Sequence, residues 1–110
     1  MVKKAPVKRA SANVFADLGV AEPDIALAKA RLAATISEVV SKRSLTQAEA
    51  AEILGVDQPK VSALLRGQLA GFSTDRLIRF LTAIGQDVEI VVLRARSRSR
   101  RHGHVSVSVA

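Results

Sequence analysis

Gln58, Ser62 and Arg66 recur every four residues in the stretch DQPKVSALLRG, which places them along one side of a short helix. Their chemistry suits the edges of bases in a major groove. A glutamine amide bonds adenine bidentately, a guanidinium bonds guanine, and the methyl of neighbouring Ala63 can touch a thymine methyl. Lys60 and Gln58 flank this arc with Pro59 inside it, and a lysine there suits a phosphate better than a base. Val61, Leu64 and Leu65 take the opposite arc and belong to a core. For each polar residue the alternative is an ordinary solvated side chain.

Two helices and a tight turn must position that face. Thr46 is an N-cap with Glu49 three residues on, a capping box, and Leu45 can staple onto Ala50. An Ala-rich helix then runs to Leu54, and Gly55 follows where the chain needs positive φ. Asp57 caps the second helix, Pro59 sits in its first turn where no intrahelical N–H is lost, and Gly67 ends it. Ala51 is small where the two helices must approach closely.

The whole unit, TQAEAAEILGVDQPKVSALLRG at residues 46–67, resembles the helix-turn-helix of the phage-repressor-like XRE superfamily. Gln47 opens the motif, and Ala51, Gly55, Val56, Val61 and Leu64 occupy the family's small, turn and apolar places. The resemblance implies that the second helix enters the major groove of double-stranded DNA with its N-terminal half at the bases. Gln58 and Ser62 are then the leading base contacts, with Ala63 beside them and Arg66 at either a base or a phosphate. Gln47, Thr46 and Lys60 are the implied phosphate contacts, and Gln47 is placed to brace Gln58. From Asn13 to Val92 the chain also resembles a subgroup described as HigA-type antitoxins or stand-alone repressors. That likeness implies a repressor of its own operon, with a RelE- or HigB-like ribonuclease toxin as the protein partner in the antitoxin case.

Charge alone does not make the case for DNA. The 110 residues carry a net charge of +7, yet nine of the 17 basic residues stand at the two ends. Between residues 10 and 93, eight basic residues face ten acidic ones. Residues 1–12 read as a disordered basic arm, 13–93 as the folded helix-turn-helix domain, and 94–110 as a disordered Arg/Ser-rich tail. Nonspecific attraction to phosphate must come largely from the arms.

The remaining elements define a mainly α fold, a small bundle of about five helices with one C-terminal β-strand. Val14, Phe15 and Leu18 form a short apolar cluster. A long helix from Glu22 to Lys42 carries Ile25, Ala28, Leu32, Ile36, Val39 and Val40 at helical spacing. Phe72 plugs the bundle before Ser73 caps a last helix, on which Leu77, Phe80, Leu81 and Ile84 make the stripe and Gly85 the stop. Arg76 and Arg79 lie off that stripe, solvated or at the DNA backbone. Residues 87–93 then change period to two, with Val88, Ile90 and Val92 on one face. A lone strand needs a partner edge. VSVSV at 105–109 offers one within the chain, but the basic run between is long and self-repelling, so pairing with the same strand of a second copy is favoured. The expected assembly is a twofold homodimer.

Other functions find little support. There is no Cys, His occurs only at 102 and 104, and no nucleophile, base and orienter come together, so no enzymatic activity, cofactor or metal is expected. Two histidines in a tail are more often incidental than metal ligands. A purely electrostatic RNA or nucleoid protein lacks its stacking platform, since the three Phe take core positions and Tyr and Trp are absent. Neither an export signal nor a membrane span is legible, which makes the cytoplasm, and the nucleoid when DNA-bound, the expected location.

Overall fold

Apolar residues at helical spacing set the longest element, α1, Glu22–Lys42, with Glu22 and Asp24 in its first turn and Lys42 in its last. Those charges complement the helix dipole. Three shorter helices follow: α2 at Gln47–Leu54, α3 at Gln58–Leu65 and α4 at Thr74–Ala83. The structure, a computed structural model, describes residues 22–94 and 103–110. The N-terminal arm and the Phe15 cluster, where a further helix is expected, lie outside the described residues.

All four helices end in the same way. Leu45, Val56, Gln68 and Gln86 each donate an N–H to the carbonyl five residues back, at 3.0, 3.0, 2.9 and 2.9 Å. The residue before each is left-handed: Ser44 at φ 54°, Gly55 at 73°, Gly67 at 78° and Gly85 at 88°. This is the Schellman motif, which satisfies carbonyls that the helix leaves orphaned. Three of the four positions are glycine, which enters this region without a Cβ penalty. Ser44 is the exception.

The core is continuous across the four helices. Leu32, Ile36 and Val40 of α1 meet Ala50 and Leu54 of α2, Val61 and Leu64 of α3, and Leu77, Phe80 and Leu81 of α4. Ile36, Val61 and Leu77 are completely buried. Helix α1 packs mainly on α4 and also on α3, while α2 packs chiefly on α3. Thus α1 and α4 form the platform on which the α2–α3 pair is mounted. Ala33 also belongs to the core, although the stripe read from the sequence passed over it.

The expected β-strand is not formed. Residues 86–94 leave α4 without regular structure, and no strand occurs among the described residues. Ile90 is 74% exposed and Val92 93% exposed. A strand cannot satisfy its own backbone, and the partner expected for this one is a second copy, which a single chain does not supply. The 105–109 segment, which could have supplied the partner edge, lies instead along α1. There Val105 donates its N–H to Asp24 Oδ2 at 3.2 Å, and His104 Nδ1 sits 3.3 Å from the same oxygen. Val107 packs on the core, and Val109 and Ala110 line a shallow cleft with Val39, Arg43 and Gln86. With that segment against α1, 87–93 has no ladder among the described residues.

Candidate nucleic-acid interface

Both helices of the central pair begin with a fixed cap. Thr46 Oγ1 accepts from the Glu49 N–H at 3.0 Å, and Glu49 Oε1 accepts from the Thr46 N–H at 2.8 Å. The Thr46 hydroxyl proton is not consumed by this box and can donate outward. Asp57 Oδ1 accepts from the Lys60 N–H at 3.0 Å and fixes the start of α3. Between them, Gly55 and Val56 turn the chain, and the Val56 side chain tucks against the core. The α3 axis is therefore set by residues that do not themselves face outward.

On α3 the inward arc is as expected, with Val61 and Leu64 buried and Leu65 half-buried. Gln58, Pro59, Lys60 and Arg66 are exposed, and Ser62 is half-buried. Thr46 and Gln47 are exposed at the first turn of α2, the positive end of its dipole. Ala63 stands apart from this group. It is half-buried against the core and lines a shallow cleft beside α3 with Pro59, Lys60, Gln68 and Phe72. Val88, Ile90 and Val92 are all exposed beyond α4.

Two residues at the margin acquire roles that spacing did not reveal. Arg66 Nη2 donates to Gln68 Oε1 at 3.3 Å, joining the end of α3 to the following turn. Arg76, expected to be solvated or at a phosphate, instead lays its guanidinium over both Phe72 and Phe80, 5.7 and 5.6 Å from the ring centroids. The two rings themselves meet edge to face at 6.0 Å. Such a stack holds the turn that follows α3 onto α4. A sequence carrying F-x-x-x-R-x-x-x-F at helical spacing contains that signal. Among the described residues, no cluster of His, Asp and Glu is disposed to hold a metal ion. No helix there is long and apolar enough to cross a membrane.

A capped helix, a glycine turn and a second capped helix that buries one arc and offers polar side chains on the other define a helix-turn-helix DNA-binding domain. Residues 14–93 match the helix-turn-helix domain family. A solved structure described as an XRE family transcriptional regulator is 44% identical, with a TM-score of 0.73, and the similarity covers 82% of this chain and all of that one. No curated protein sequence matches. The chain belongs to the XRE family of helix-turn-helix transcriptional regulators.

Proposed function

We propose that the protein is a homodimeric, sequence-specific repressor that lays α3 in the major groove of double-stranded DNA. The observation that carries this reading is the outward face of α3, where Gln58, Lys60 and Arg66 are exposed beside the capped N-terminus of α2. Gln58, Ser62 and Arg66 meet base edges, with Ala63 at the margin, and Thr46, Gln47 and Lys60 hold phosphates. A major-groove reader of this size gains a two-part site by pairing. The exposed apolar run from Val88 to Leu93 supports pairing of that segment with its copy in a second chain.

Fluorescence anisotropy tests the reading. Duplex from the region upstream of the gene and scrambled duplex are titrated in parallel at physiological salt. Specific regulators bind their sites about 10³-fold or more tighter than random DNA. Equal and steeply salt-dependent affinity for both duplexes would mean that this fragment holds no operator and would shift weight to the basic ends as the binding parts.

A second reading rests on the same exposed run. In an antitoxin, Val88 to Leu93 would dock a RelE- or HigB-like toxin while the helix-turn-helix represses the shared operon. Co-purification of the product of an adjacent small reading frame, lost with Ile90→Lys, would favour it over the stand-alone repressor.

A further inference from the structure

Arg66 leaves α3 where the helix ends, and a long side chain at such a point samples many rotamers unless a neighbour holds it. Gln68 is that neighbour. Arg66 has φ −89° and ψ 3°, Gly67 turns left-handed at φ 78°, and the Gln68 N–H returns to the Ala63 carbonyl at 2.9 Å. This closure folds residue 68 back beside residue 66. Its amide oxygen then accepts from Arg66 Nη2 at 3.3 Å.

We propose that Gln68 is a positioning residue for base recognition, its amide oxygen restricting the Arg66 guanidinium so that the remaining N–H groups address one guanine. The proposal rests on the reading of Arg66 as a base contact. Ordering a free arginine at an interface subtracts from affinity, whereas one already held loses less on binding. In the free protein this exposed bond contributes little to stability. On DNA, where water is displaced, the same bond is stronger and its loss is felt. Gln68→Ala should therefore alter sequence discrimination while leaving folding unchanged. That combination separates positioning from a structural role.

The test uses the full chain and a duplex selected from a randomised pool by the unmodified protein, with scrambled duplex as reference. Gln68→Ala is expected to lower the specific-to-scrambled affinity ratio by about five- to tenfold, a fraction of what one bidentate contact supplies. Its scrambled-DNA affinity and Tm should stay the same. Gln68→Glu keeps an acceptor for Arg66, so it should weaken both duplexes alike through its charge and preserve the ratio. In an Arg66→Ala background, Gln68→Ala should change the ratio by less than about twofold, because coupled residues are not additive. An equal loss in both backgrounds would overturn the proposal, since Gln68 would then act without Arg66. If Arg66→Ala left the ratio unchanged, the base-contact reading of Arg66 would fail and the proposal with it. A loss for Arg66→Ala with none for Gln68→Ala would overturn the proposal alone.

Discussion

Residues 46–67 and residues 86–94 are both rich in apolar side chains, yet one is fully accommodated by the chain and the other is not. In the first, every helix end is closed locally: Thr46 and Glu49 cap each other, Asp57 caps α3, and Gly55 and Gly67 terminate. Val61 and Leu64 reach a core completed by α1 and α4. In the second, Val88 to Leu93 alternate as a strand would, but no edge among the described residues pairs with them. A helix satisfies its own backbone, whereas a strand must borrow a neighbour's. The difference marks where the molecule is self-sufficient and where it calls for company.

The sharpest way to break the self-sufficient half is to open its centre. Leu77 is completely buried and joins α4 to the rest of the core. Leu77→Ala should cost about 2–5 kcal/mol in urea unfolding, as a cavity in a closed core does. The complementary experiment leaves the core alone. Ile90→Lys should change the stability of the isolated chain by less than about 0.5 kcal/mol, as exposed substitutions do. If 88–93 is a pairing segment, the same variant should sediment as a monomer where the parent is a dimer. A parent that sediments as a monomer at micromolar concentration would remove the pairing altogether.

How legible each half was in the sequence follows from the same physics. The boundaries of α2 and α3 could be read from Thr46, Glu49, Gly55, Asp57 and Pro59 because each acts on backbone groups within four residues of itself. The α1 stripe was legible from period, apart from Ala33. The placement of 105–109 was not, since an alternating VSVSV segment specifies a face but not the surface that receives it, and here that surface is α1. The role of Arg76 was missed for a related reason. A wheel locates a residue off the apolar stripe without showing that two rings flank it. On α3 the exposure of Pro59 and Arg66 and of the flanking Gln58 and Lys60 follows the wheel, whereas Ser62 and Ala63 are half-buried, Ala63 beside the turn at 67–72 that no helical period describes.

Smaller effects probe the local closures one at a time. Gly55 has open space where a Cβ would stand, so Gly55→Ala isolates backbone strain at φ 73° from any clash. Strain of roughly 1–2 kcal/mol, partly offset by about 0.4–1 kcal/mol from the stiffer unfolded chain, should leave a net loss of about 1 kcal/mol in thermal or urea unfolding. Thr46→Ala removes one acceptor of the capping box and should cost about 1 kcal/mol. If the box matters only for α2, the loss will appear as lower hydrogen-exchange protection at Glu49 and its neighbours, with α4 unaffected.

The smallest effect among the helix closures has the opposite sign. Ser44 closes α1 through the same pair of backbone bonds as the three glycines close the other helices, with its N–H on the Ser41 carbonyl at 3.0 Å and that of Leu45 on Val40 at 3.0 Å. Its φ of 54° carries the Cβ strain that glycine avoids. Ser44→Gly should relieve roughly 1–2 kcal/mol of that strain and return about 0.4–1 kcal/mol through the freer unfolded chain, a net gain of about 0.5 kcal/mol. The urea midpoint should rise with an unchanged slope. Set beside Gly55→Ala, the pair tests one geometry from both sides, because glycine in and glycine out at equivalent positions must move stability in opposite directions. If both substitutions destabilised, the Ser44 side chain would have to supply something to the α1–α2 link that glycine cannot, and the turn would be more than a helix stop.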